Sequence, residues 1–202
     1  MVDGIIKYSI EHHTAATPLF SGYNELEALR RRLFALGLIG EKDGIGYGNL
    51  SMRHEGSKSF FVTATQTGNM QSLTREYYTY ICDYEFDNFK IISQGAHKPS
   101  SEALSHAMIY AIDEKITAVI HVHSLALWKF MKAEESLATT AEYGTAEMIE
   151  EIRELYDSLD PLINNAFVMK GHEEGIITFG RSVEEAELIL LNIIEAYLQV
   201  QK

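Results

Sequence analysis

A single cysteine, Cys82, among 202 residues leaves no partner for an internal disulfide, so this chain folds without a covalent framework. Cations are also scarce. Against 29 aspartates and glutamates stand 17 lysines and arginines, and the net charge of −12 repels nucleic-acid phosphates and anionic membrane surfaces. The basic run in "LRRRLF" falls inside an amphipathic helical pattern and makes no patch. No apolar stretch reaches the roughly 18 residues of a membrane-spanning helix, and no N-terminal signal pattern is seen. With three prolines and no Gly/Pro-rich tract, nothing divides the chain. These absences predict one domain over residues 1–202 in a reducing cytoplasm, with neither nucleic acid nor membrane as partner. A hydrophobic content of 46% against 23% charged residues is enough for a full core and excludes overall disorder.

The hydrophobic spacing then supplies elements. Leu26, Leu29, Leu33 and Leu36 predict a helix over 24–36, with Asn24 as cap, Glu27 three residues on and Gly37 as stop. "GIGYGNLSMR", "HEGSK" and "SFFVTAT" read as a loop entering a strand, a turn and a second strand. "YYTYICDYEFDNFKII" predicts another hairpin, turning at Asp87 and Asn88. The second half alternates. A helix from Ser101 places Leu104, Met108, Ala111 and Ile112 on one face, "ITAVIHVH" follows as a strand, and a short apolar segment surrounds Trp128. Thr145 caps a helix facing inward through Met148, Ile152, Leu155 and Leu159. "AFVMK" and "GIITFG" are strands about a turn at 172–175, and Ser182 with Glu185 opens a last helix carrying Leu188, Leu191 and Ala196. Hairpins followed by helix and strand in alternation predict an α/β fold, a mixed sheet covered on both faces.

In "VIHVHS" a strand puts His121 and His123 on one face, where two imidazoles reach one ion or simply hydrogen-bond within the sheet. A third ligand decides between these. His12 and His13 sit in a polar N-terminal segment and His54 in a hairpin turn, where solvated histidines are the simpler reading, while His97 and His106 flank the start of a helix. His172, in the glycine-flanked turn "GHEEG", is the best placed, because glycine permits the close backbone approach a metal loop needs. "GIGYGNL" is not a dinucleotide fingerprint: it follows a helix and lacks the required spacing.

Taken together, "GNLSMR", "VTATQTGNM", "KPSSEALSHAMIYAIDEKITAVIHVHS", "EYGTAEMIEEI" and "GHEEGIITFGRSVEEAELIL" resemble the class II aldolase/adducin family, which contains fuculose-phosphate aldolase and ribulose-phosphate 4-epimerase. The order and spacing match from about Asn24 to Tyr197, including "SSE" with its glutamate nineteen residues before His121. The resemblance implies a three-layer α/β/α sandwich around a mixed, largely antiparallel sheet. It implies Zn²⁺, or another divalent transition metal, on His121, His123 and His172, with Glu102 as catalytic acid/base. It also implies a substrate or phosphate cradle of Gly48, Asn49 and Ser51, Thr67 and Gly68, and Ser100 and Ser101. Glycine-turn amides, hydroxyls and a helix N-terminus are together an uncharged anion site.

The expected function is a zinc-dependent lyase cleaving a small, sugar-like, phosphorylated ketone through an enediolate, in a cytoplasmic homotetramer. The alternatives are an epimerase or dehydratase of the same family, or a non-catalytic binding domain like the adducin head. The segment between the metal strand and "EYGT" is short, and no tyrosine in it matches the proton donor of the fuculose enzyme; Tyr143 belongs to the motif that opens the next helix.

Overall fold

Alternation along one strand sets the architecture: Ile120 and Val122 pack on one side of Ala118–His123 and Val119 on the other, and both sides are buried. The computed structural model describes residues 5–54, 56–134, 136–157 and 165–201. Its strands are β1 (Ser9–Thr14), β2 (Gly40–Lys42), β3 (Ile45–Tyr47), β4 (Asn49–Arg53), β5 (Phe60–Thr63), β6 (Tyr78–Glu85), β7 (Lys90–Gly95), β8 (Ala118–His123), β9 (Ala138–Thr139), β10 (Ala166–Met169) and β11 (Gly175–Gly180). The helices are α1 (Tyr23–Ala35), α2 (Ala103–Ile112), α3 (Leu125–Ala133), α4 (Ala146–Asp157) and α5 (Val183–Val200).

Nine strands form one sheet in the order β1-β7-β6-β5-β4-β8-β11-β10-β9, while β2 and β3 make a separate hairpin. Among the described residues only the two edge pairings, β1 with β7 and β10 with β9, are parallel. Leu26, Leu29 and Leu33 of α1, Trp128 of α3 and Leu190 of α5 cover one face of the sheet with Leu50, Ile120 and Val168. Leu104 and Met108 of α2 and Met148 and Ile152 of α4 cover the other with Phe60, Val119 and Ile177. The result is the expected three-layer sandwich. Each fully buried Leu or Ile contributes about 1.5–3 kcal/mol relative to exposure. Among the described residues no helix is long and apolar enough to cross a membrane.

Several local expectations change. Asn24 does not cap α1: the helix begins at Tyr23 after Gly22, with no side-chain cap, and Leu36 is 63% exposed beyond its end. Gly37 does end it, at φ +70°, a conformation costly for other residues. Ala111 is exposed, whereas every α2 residue from Ala103 to Tyr110 is buried, because α2 is wedged between the sheet and α4. The segment around Trp128 is a helix, α3, capped by Ser124 Oγ accepting from the Leu127 amide at 3.4 Å.

Thr145 caps α4 through the Met148 amide, and Leu159 lies outside the described residues. Ser182 caps α5 by accepting from Glu185 N at 3.1 Å, yet Leu188, Leu191 and Ala196 face outward while Val183, Ala186 and Leu190 are buried. Apolar residues occupy more than one side of α5, so its spacing alone does not fix which side packs. The polar N-terminal segment carrying His12 and His13 pairs as edge strand β1.

Candidate metal and anion site

The site gathers where β8 ends. Antiparallel registers set Asn49 of β4 opposite His121, and Gly175 of β11 opposite His123, so one imidazole strand is flanked by a polar strand and by the turn that carries His172. That turn is closed by His172 N donating to Met169 O at 3.1 Å and Gly175 N donating to His172 O at 2.9 Å. The three imidazoles are 1%, 6% and 6% exposed, and one nitrogen from each lies within 4.8 Å of the others.

Burial holds the His121 imidazole well below the ordinary histidine range, with the neighbouring imidazoles adding to the effect, and brings His123 down to about 3. Both are therefore neutral at pH 7, the form that ligates metals. The Nε2 atoms of His121 and His123 are buried without a hydrogen-bond partner among the described residues. Buried polar atoms of that kind are costly unless something completes them, and a divalent ion held by three neutral imidazole nitrogens does so. The donor set fits such an ion.

Glu102 occupies the N-cap position of α2, 3% exposed, and makes no capping bond with its own side chain. Its Oε2 lies 3.2 Å from His121 Nδ1 and its Oε1 3.5 Å from His172 Nε2. Asn49 Nδ2 approaches the same His121 Nδ1 at 3.1 Å. With the proton on Nδ1, the Asn49 amide turns its oxygen to accept it, Glu102 stands beside the same ring, and the Nε2 lone pair is left for a metal.

Gly48, Asn49, Thr67, Gly68, Ser100 and Ser101 converge on a small polar recess (≈ 20 Å³) whose wall includes Glu102 and His123. It has room for one compact group and none for a sugar ring. Gly68 fits because it has no side chain: a Cβ there would fall 1.9 Å from Gly40 O. The Thr67 hydroxyl donates to Ala64 O at 2.9 Å, and Ser100 Oγ accepts from Glu102 N at 3.3 Å, so these two hydroxyls brace the recess. Ser51 is not part of it. Two residues deeper along β4, its hydroxyl lies 2.7 Å from both His106 Nδ1 and Tyr110 Oη beneath α2, which makes it a core hydrogen-bonding group.

The remaining histidines stay outside the cluster. His12 contacts Ser93 Oγ at 2.9 Å, His54 packs edge-on against Phe61, and His97 stacks on Tyr77 with centroids 4.4 Å apart. Tyr143 lies against His172 at 4.7 Å between ring centroids, but its hydroxyl accepts from Ile5 N at 3.4 Å.

Sequence spacing gave no sign of three further residues. Tyr47 of β3 stacks on His123 at 5.2 Å and 27°, and Lys42 of β2 pairs with Glu174 beside His172 at 2.9 Å. The β2–β3 hairpin thus covers one side of the histidines, and a cleft of ≈ 560 Å³ opens beyond them between Tyr47, Tyr143 and the 170–174 turn. The "GEKDGIGY" turn signals could have located this hairpin. Arg30, buried in α1, completes the set behind the recess.

Fold and site together define a three-layer α/β/α protein with a histidine triad that could hold a metal at the end of a central strand. The chain belongs to the family described as Class II Aldolase and Adducin N-terminal domain, whose model matches residues 24–201. It is 26% identical over 149 residues to an L-fuculose phosphate aldolase of Methanococcus maripaludis strain C5, covering 69% of this chain and 75% of that protein. Its fold is similar to a solved L-fuculose 1-phosphate aldolase (TM-score 0.69, 18% identity, 91% of this chain and 86% of the other). It is also similar to the sugar-phosphate aldolase from Thermotoga maritima (TM-score 0.62, 20% identity, 88% and 93%).

Proposed function

We propose that this protein is a zinc-dependent aldolase that cleaves a small phosphorylated ketose. The observation that carries the reading is the convergence of three buried imidazoles, two of them neutral and with Nε2 atoms that make no hydrogen bond among the described residues, beside a buried carboxylate. His121, His123 and His172 would hold the ion, which when bound supplies the positive charge that stabilises an enediolate. The rest is done by the chain. The recess would anchor the phosphate through the Gly48 and Gly68 turns and the α2 N-terminus at Ser100 and Ser101. The reacting carbons would then lie beside Glu102, with the remainder of the substrate in the cleft bounded by Tyr47 and Tyr143.

In the cleavage direction Glu102 takes up the proton that the substrate hydroxyl loses as the C–C bond breaks and delivers it to the carbon that has lost its neighbour. In the synthetic direction it removes that proton. The buried face of α2 and the Tyr47 ring keep bulk water from the reacting carbons. A catalytic reading is favoured over a binding module because the Glu102 carboxylate borders the recess as well as the histidines. The proposal includes the homotetramer and the cytoplasmic setting that the family resemblance implies.

The test is to load the protein with zinc, incubate it with a panel of ketose phosphates, and follow aldehyde and dihydroxyacetone phosphate release. Cleavage of at least one member, lost together with zinc in His121→Ala, is the expected result. Epimer formation without cleavage would reassign the reaction. Absence of bound zinc in the wild-type protein, together with no turnover, would remove the proposal.

A further inference from the structure

The turn that forms one wall of the recess is held from behind by a buried cation. Arg30 of α1 is 1% exposed, and its Nη2 donates to Thr67 O at 2.7 Å and to Met70 O at 2.8 Å. Thr67 O also accepts from Met70 N at 3.1 Å, so its two acceptor positions are filled from the α1 side and from within the turn. The Nη1 of Arg30 has no hydrogen-bond partner among the described residues. One turn earlier on the same helix, Glu27 spends its two oxygens on Leu73 N (2.9 Å) and Tyr78 Oη (2.7 Å). A guanidinium is charged under all ordinary conditions, and burying one costs several kcal/mol. Two neutral carbonyls are its hydrogen-bond partners, and the Glu27 carboxylate acts on it at longer range.

The peptide plane gives that charge an outlet. In a trans unit the carbonyl and the following N–H point in opposite directions, so the Thr67 carbonyl drawn toward Arg30 turns the Gly68 N–H away from α1. A cation bonded to the carbonyl also polarises the unit and strengthens its N–H as a donor. We infer that Arg30 is a positioning residue for the anion subsite, acting through the Thr67–Gly68 peptide to present a strengthened N–H to a phosphate monoester. This rests on the recess being the phosphate end of the site, as proposed above. Glu27 opposes the effect: its carboxylate faces the same guanidinium from the same helix, and Tyr78 is the other polar group packed there.

The experiment titrates inorganic phosphate into wild type, Arg30→Gln, Arg30→Lys and Glu27→Gln by calorimetry, with and without added zinc, so that capture by the metal is separated from capture in the recess. Arg30→Gln keeps a donor for the carbonyls but removes the charge, and weakens phosphate binding about tenfold. Arg30→Lys keeps the charge and stays within about threefold of wild type. Glu27→Gln removes the opposing charge and tightens binding, whereas a role confined to bracing the turn would weaken it. Phosphate affinity unchanged in Arg30→Gln, or weakened in Glu27→Gln, overturns the inference and leaves the recess as the phosphate site. If wild type does not bind phosphate at all, the recess assignment itself falls. Should Arg30→Gln fail to fold, Arg30→Lys and Glu27→Gln decide by the same criteria, the opposite signs expected of the glutamate and arginine variants being the diagnostic.

Discussion

The Glu102 carboxylate spans two of the three imidazoles, 3.2 Å from His121 Nδ1 and 3.5 Å from His172 Nε2. The proposed acid/base group thus touches imidazoles that could hold a metal but is not itself one of that triad.

Replacing Glu102 by Gln should leave zinc content at the wild-type level and lower turnover by about 10²- to 10⁴-fold, the usual contribution of a positioned acid/base group. Metal analysis and turnover on the same preparation check both halves. Full turnover in Glu102→Gln would take this residue out of the mechanism, and loss of zinc would make it a ligand.

Ser51 offers a contrast within the set first read as substrate-binding. Because its hydroxyl serves His106 and Tyr110, Ser51→Ala should cost about 1–3 kcal/mol of stability by leaving two buried groups short of a partner. It should not change KM for a phosphorylated substrate. Urea denaturation and steady-state kinetics separate the two roles, and a raised KM with unchanged stability would restore Ser51 to the recess.

Acid should unfold the metal-free protein partly through His106. Burial lowers this imidazole from 6.5 to about 3, so between those values the unfolded chain binds a proton that the folded chain does not. Stability therefore falls as pH drops through that window, by about 1.4 kcal/mol per pH unit for one group, and levels off below about 3. His121 and His123 add slopes of the same sign. Denaturant unfolding at pH 6.5 and 5.0 should show a decline that is about 1.6 kcal/mol smaller in His106→Gln. An equal decline in both proteins would mean that His106 is protonated without cost.

Much of this site could be read along the chain because its residues belong to short segments with strong local grammar. A strand carrying H-x-H, a glycine turn carrying His172 and an S-S-E helix start each declare themselves within a few positions, and the sheet registers then bring them together. Arg30 and Tyr47 could not be read that way. Arg30 occupies a helical position where an exposed arginine is equally compatible with the pattern, and only the packing of α1 under the 67–70 turn buries it. Tyr47 gains its meaning from a ring stacked across 76 residues of sequence. The outward facing of Leu188 and Leu191 was hidden for a related reason: a helix apolar on several sides leaves the choice of buried side to its neighbours.

The pairing of Asn49 with His121 and of Gly175 with His123 also bears on the order of events during folding. These partners are separated by 72 and 52 residues, so the triad exists only after two long loops have closed and β4, β8 and β11 have found one register. A slip of one residue by β8 would turn both of its histidines to the opposite layer. A metal bound by this triad could not therefore serve as a nucleus, as it does in small zinc domains whose ligands are close in sequence. An ion held by the triad would arrive at a cage already built, whose fidelity is a matter of strand alignment.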